Sequence, residues 1–429
     1  MLTFDDRTGP DLGDDAPAYP DSHVPDWWRD AKLGFFIHLG IYSLPGWAVT
    51  EDAPPGRDYA WHHYAEWYAN TVRIPDSPTR RHHERTFGVG TSYEDLADLW
   101  TMDGFDASHL VGEIAATGAG YLIPTTKHHD GFCLWDTATT GFTSVQRGPH
   151  RDLVAELHDA TVATGMRFGA YFSGALDWHV SDFPPITSNR DLFELRRNDE
   201  AFARHAARQL TELVDRFHPA VLWNDIDWPD AGKGRDDFGL ARLFEHHAAT
   251  VPDGVVNDRW GVPHRGFATR EYHDVPALLD QPWEATRGLG LSFGYNRNET
   301  ADQTMTGADL IRLLVDVVAK NGNLLVNIGP RADGSIPDLQ LAAMRDLGTW
   351  MAQHRQAVVG TCPWGPGVRG DQRLVQRDDT VYVHLLRGDR LDLPPELARR
   401  RVEWIGSSQT GPTRPAALAG LPVAVARLV

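Results

Sequence analysis

The chain has 429 residues, 41% hydrophobic and 23% charged, enough to bury one large core with a smaller module appended. Its formal charge of −18 argues against nucleic acid or an anionic membrane surface as partner, because both select basic patches. The two cysteines, Cys133 and Cys362, fall in stretches that read as different domains, which predicts no structural disulfide and excludes a thiolate metal cluster.

Residues 1–24, rich in Asp, Pro and Gly, read as a loose tail. They show neither a basic n-region nor an apolar h-region, so no signal peptide is expected and a cytoplasmic location is the default expectation. No run of 18 apolar residues occurs to suggest a membrane span. Over 25–356, short apolar runs alternate with longer helical patterns, which predicts an α/β fold of the (β/α)8-like TIM-barrel type. The strand candidates are GFFIH from Gly34, YLIPTT from Tyr121, RFGAYFS from Arg167, AVLW from Ala220, Val255–Asn257 and NLLVNI from Asn323. A barrel needs two more, and only 260–300, where the pattern is poor, can hold them. Between the strands, Leu153, Val154, Leu157 and Thr161 share one helical face, ended by Gly165. Phe202, Ala206, Leu210, Leu213 and Phe217 form a second stripe, and Thr306 with Asp309 suggests a cap for a helix through Lys320. Over 357–429, the runs TVYVHLL, RVEWI and VAVARLV between Asp, Gly and Pro turns predict a small antiparallel β-sandwich domain.

In such a barrel the chemistry gathers at the C-terminal ends of the strands. There the sequence places His38, then Lys127, His128, His129 and Asp130, then Tyr171, then Asn224, Asp225 and Asp227, then Asp258 and Arg259. Tryptophans are mixed among them, Trp67, Trp135, Trp178, Trp223, Trp228 and Trp260, from a total of 15. Flat aromatic faces pack against sugar C–H surfaces while charged groups bond hydroxyls, although any one Trp serves equally well as helix–sheet packing. The pair His128–His129 raises a metal, but metal-dependent barrels use His-x-His after the first strand, and here that strand ends His-Leu-Gly. No metal and no cofactor are expected, and His62–His63, His82–His83 and His246–His247 read as surface or helix residues. Asp225, held directly after AVLWN, is the carboxylate best placed for chemistry at the barrel mouth; glycoside hydrolysis would need a second.

The longer strings are more specific. FFIHLGIYSLPGWA from Phe35, EWYAN from Glu66, TTKHHDGFCLWD from Thr125, GPHRDLV from Gly148, LWNDIDW from Leu222, SFGYNRNE from Ser292 and NLLVNIGPRADGSIP from Asn323 occur in the order found in the α-L-fucosidases of glycoside hydrolase family 29. Over about residues 26–355 the chain resembles that family. The resemblance implies an exo-acting, retaining hydrolase of terminal α-L-fucosyl residues, with a fucoside or fucosylated oligosaccharide as substrate. It implies Asp225 as nucleophile and Glu271, in GFATREY, as acid/base, with Glu284 and Glu66 as competitors for the second role. It further implies that His38, Glu66, Trp67, His128, His129, Tyr171, Trp223, Arg259 and Phe293 contact the sugar, aromatic surface facing its methyl group. Three positions depart from the family pattern: Leu39 stands for a Trp, Ile226 for a Gly after the nucleophile, and Gly266 for an Asp. For retention the two carboxyls should lie roughly 5–5.5 Å apart, with Asp225 ionised and Glu271 protonated in the first step. A hydrolase of a related sugar such as α-L-galactose, a fucose-binding protein without catalysis and a metal-dependent barrel hydrolase are the alternatives. The sequence leaves linkage, aglycone and oligomeric state open, a homo-oligomer included.

Overall fold

The computed structural model describes residues 19–20, 23–234 and 236–429, so the tail expected over 1–24 lies almost wholly outside the described residues. The apolar runs form β1 (Leu33–Ile37), β2 (Tyr121–Lys127), β3 (Arg167–Ser173), β4 (Val221–Asp225), β5 (Val255–Val256) and β8 (Gly322–Ile328). The two missing strands are β6 (Ala268–Glu271) and β7 (Trp283–Gly288), both within 260–300 as expected. All eight join one curled sheet in the order β5-β4-β3-β2-β1-β8-β7-β6, every pairing parallel. No ladder closes β5 onto β6. The seam is bridged instead by the Gly266 N–H to the Val256 carbonyl (2.9 Å) and by Asp258, whose Oδ1 accepts from Thr269 N (3.0 Å) and Thr269 Oγ1 (2.8 Å).

Helices cover the outside because their apolar stripes match the sheet. The helix Leu153–Ala163 buries Leu153, Val154, Leu157 and Thr161, is capped by Asp152 and is followed by Gly165 at φ 80°. Asp199 caps Glu200–Phe217, which buries the whole predicted stripe, and Thr306 accepts from Asp309 N at the start of Gly307–Ala319. Inside the barrel a second apolar cluster joins Phe36, Tyr121, Ile123, Tyr171, Trp223 and Leu325. Its floor is a short helix, Asp26–Ala31, whose Trp28 stacks on Phe267 at 4.6 Å. Among the described residues no helix is long and apolar enough to cross a membrane.

The C-terminal β domain is one five-stranded antiparallel sheet, ordered β12-β13-β11-β10-β9, from β9 (Cys362–Arg369), β10 (Gln372–Arg377), β11 (Thr380–Leu385), β12 (Val402–Trp404) and β13 (Ala424–Leu428). One face packs on its own cluster around Val383, Trp404 and Leu418. It is tied to the barrel helices by Trp350 Nε1 donating to the Val423 carbonyl (2.9 Å) and by the Arg373–Asp316 ion pair (2.5 Å). Cys133 is buried and Cys362 exposed, both as free thiols.

Candidate active site

A narrow cavity opens at the C-terminal ends of the barrel strands. The eleven residues to which the family resemblance gave a role line it: His38, Glu66, Trp67, His128, His129, Tyr171, Trp223, Asp225, Arg259, Glu271 and Phe293. Phe36, Tyr64 and Thr286 complete the wall and were not foreseen. Two of these had a readable signal in strand alternation: Phe36 is two residues before His38 on β1, and Thr286 pairs with Glu271 across β6–β7. Tyr64 had none.

Other polar residues at the strand ends turn away from the cavity. Lys127 Nζ donates to Asp177 (3.2 Å) in the loop after β3 and to Gln209 (3.0 Å) on the helix Glu200–Phe217, and Asp130 accepts from Tyr93 Oη (2.7 Å). Asn224 and Asp227 brace the backbone behind β4, and Asp258 closes the seam. Glu284, fully buried, is absent from the cavity lining and accepts from Tyr121 Oη (2.5 Å) and Trp223 Nε1 (3.1 Å). His82–His83 and His246–His247 sit on helices, whereas His62–His63 lie in a loop.

Arg259 organises the two carboxyls. Its Nη1 donates to Asp225 Oδ1 (2.9 Å), its Nη2 to Glu271 Oε2 (2.7 Å), and its Nε to Thr269 Oγ1 (3.0 Å). The guanidinium carbon lies 4.7 Å from the Trp223 ring centroid, a cation–π contact that supports the intrinsically planar fork. Asp225 also accepts from Tyr171 Oη (2.9 Å) and from the Ile226 N–H (3.0 Å), and His129 Nε2 stands 3.7 Å away. Burial pushes the Asp225 carboxyl up, but the Arg259 guanidinium foremost, helped by the Tyr171 hydroxyl, holds it below the ordinary aspartate range. Glu271 goes the opposite way: burial, aided by the Asp225 charge, outweighs the same arginine and raises it. One guanidinium thus holds two carboxyls whose proton affinities are shifted in opposite directions.

The imidazoles are neutral, and their bonds fix the tautomers. His38 Nδ1 meets Asn327 Oδ1 (2.6 Å) while Asn327 Nδ2 donates to the Phe293 carbonyl (2.6 Å), so Nδ1 carries the proton. His129 Nδ1 meets Ser173 Oγ (2.7 Å), whose own proton goes to the Leu176 carbonyl (2.8 Å). Burial lowers both rings to about 4 and His128 further still. At neutral pH His38 and His129 therefore present bare Nε2 acceptors, suited to hydroxyl donors. Glu66, raised by burial to about 7, accepts from Ser292 Oγ (3.0 Å) and the Gly294 N–H (2.8 Å). Phe36, Trp67 and Phe293 supply apolar wall. Among the described residues no group of three or more His, Cys, Asp or Glu converges to hold a metal ion.

Known proteins share this architecture. The model of the family described as Alpha-L-fucosidase matches residues 16–356. The plasma α-L-fucosidase of Rattus norvegicus is 34% identical over 352 residues, 80% of this chain and 72% of that one. The α-L-fucosidase of Dictyostelium discoideum is 31% identical, with 80% and 72% covered. Among solved structures, a Thermotoga maritima α-fucosidase in complex with a mechanism-based inhibitor superposes with a TM-score of 0.87 at 41% identity, covering 95% of this chain and 97% of that one. The same enzyme in complex with fucose gives 0.84 at 40% identity, with 95% and 97% covered. With its eight-stranded parallel barrel, its antiparallel C-terminal sheet and a pocket of paired carboxyls and neutral imidazoles, the chain belongs to the α-L-fucosidase family of glycoside hydrolases.

Proposed function

We propose that the enzyme removes terminal α-L-fucosyl residues by a retaining double displacement, with Asp225 as nucleophile and Glu271 as acid/base. The observation that carries this reading is Arg259, which bonds both carboxyls while their proton affinities move in opposite directions. One guanidinium reaches both, which favours the close pair of a retaining enzyme over the wider pair that leaves room for water. In the first step an Asp225 oxygen attacks the anomeric carbon, the bond to the leaving oxygen breaks, and Glu271 gives that oxygen its proton. Once the Asp225 charge is consumed in the ester, Glu271 loses one of the influences that keep it protonated and stays behind as a carboxylate. In the second step Glu271 takes a proton from water, the water oxygen bonds the anomeric carbon, and the ester bond to Asp225 breaks. Fucose leaves with its original configuration. The bare Nε2 atoms of His38 and His129 accept from sugar hydroxyls, and Phe293 and Trp67 face the methyl group, where a hydroxylated sugar would leave its extra donor unpaired.

The test is hydrolysis of p-nitrophenyl α-L-fucoside by the wild type, Asp225→Gly and Glu271→Gly, with azide added to each. Turnover should fall on the order of 10³-fold or more for the first variant. Azide should restore a β-fucosyl azide product from Asp225→Gly and an α-fucosyl azide from Glu271→Gly. The opposite anomers, or no rescue in either, would overturn the assignment.

A further inference from the structure

Immediately after Asp225 the chain makes a turn that L-residues rarely adopt: Ile226 has φ 54° and Asp227 φ 71°. A β-branched residue there is a true outlier, so surrounding bonds must hold it. Asp227 is where they converge. Its Oδ1 lies 2.8 Å from Lys233 Nζ and accepts from the Trp228 N–H (2.7 Å), and its Oδ2 accepts from Arg196 Nη2 (2.8 Å). Lys233 is wholly buried and Arg196 nearly so, so both cations depend on this carboxylate and on the more exposed Asp230. The backbone of Asp227 faces the other way. Its N–H donates to the Arg259 carbonyl (3.1 Å), and Asn224 Nδ2 clamps the Asp227 and Arg259 carbonyls together (2.8 Å each).

We propose that Asp227 is a positioning residue for the fucosidase reaction: pinned by Arg196 and Lys233, it locks the left-handed turn and the backbone of Arg259, and through Arg259 aligns Asp225 with Glu271. The inference rests on the roles given above to those two carboxyls. It assigns a catalytic consequence to two buried cations that do not line the cavity. It also explains how Ile226 is tolerated in a turn that a glycine would make without strain.

The test compares wild type, Asp227→Ala and Asp227→Asn on p-nitrophenyl α-L-fucoside, with competent sites counted by a 2-deoxy-2-fluoro-fucosyl inhibitor that labels Asp225. Per labelled site, Asp227→Ala should lose on the order of 10- to 100-fold in kcat with little change in KM, the cost of a misaligned reacting pair. Asp227→Asn, which keeps one acceptor and the backbone turn, should fall between. The groups facing Asp225 are His129, Tyr171, Arg259 and Glu271, and Arg259 acts most strongly to lower its pKa. A displaced Arg259 lets that pKa rise, so the acid limb of kcat/KM should move to higher pH in Asp227→Ala. If kcat per labelled site and the acid limb both match wild type, Asp227 is structural only and the proposal fails. If Asp227→Ala does not fold, Lys233→Met, which leaves Arg196 in place, should show the same kcat loss and pH displacement, and wild-type values there would overturn the proposal. Failure of the inhibitor to label Asp225 in the wild type would instead sink the nucleophile assignment, and this inference with it.

Discussion

Glu284 is buried and Glu271 partly buried, and desolvation raises both carboxyls, yet their partners set them different tasks. Glu271 faces the cavity and touches a cation, whereas Glu284 is spent on Tyr121 Oη and Trp223 Nε1 and does not itself line the cavity. Trp223 in turn is the platform under Arg259. Glu284→Ala should therefore leave two buried donors without acceptors, at about 1–3 kcal/mol each. The melting temperature and kcat should both drop, without any azide rescue. Glu284→Gln keeps an acceptor oxygen and should recover most of both. An α-fucosyl azide formed by Glu284→Ala would move the acid/base role to it. At this scale the sequence was informative because strand ends and motif strings name residue types directly. It did not distinguish Lys127, Asp130 and Asp258 from true cavity residues, since side-chain direction at a strand end depends on register and on partners on other elements, such as Gln209, Tyr93 and Thr269.

The strands divide by what they face. β1–β4 and β8 carry near-continuous apolar runs because both their faces are buried, and each was legible to within a residue or two. β6 (ATRE) and β7 (WEATRG) were not, because their inward positions hold Thr269, Glu271, Glu284 and Thr286, polar groups required by the site and the core beneath it. β6 is also weakly anchored on its β5 side, where Asp258 stands in for a ladder. Asp258→Ala removes the acceptor for both Thr269 N and Thr269 Oγ1, and Thr269 is also the partner of Arg259 Nε. The expected result is a loss of about 1–3 kcal/mol and a fall in kcat that exceeds any change in KM, as β6 carries Glu271 out of line. Asp258→Asn, whose Oδ1 can accept both bonds, should sit near wild type in urea denaturation and in turnover. Equal losses in the two variants would show that the negative charge, rather than the bridged seam, is what matters there.

Across the whole molecule, buried titratable groups pull stability in two directions with pH. His38, His129 and His384 are lowered by burial from 6.5 to about 4. The folded state binds fewer of their protons than the unfolded state over that window, so their contribution is present above 6.5 and lost as pH falls toward 4. Glu66, Glu284 and Glu299 are raised by burial from 4.5 to about 7. Here the folded state binds more protons, so their contribution is present below 4.5 and lost as pH rises toward 7. The two sets oppose each other between 4.5 and 6.5, while only the imidazoles act just below that range and only the carboxyls just above it. The melting temperature should therefore fall on both flanks. Glu299 separates the two effects cleanly, because it lies outside the sugar cavity and accepts from the Ser292 N–H (2.7 Å). Glu299→Gln keeps that acceptor but cannot titrate. Its melting temperature should gain on wild type steadily as pH rises from 4.5 to 7, with kcat little altered. A difference that stays constant over that range would mean that Glu299 ionises in the folded protein as it does in the unfolded chain, and that the fall above pH 6.5 has another source.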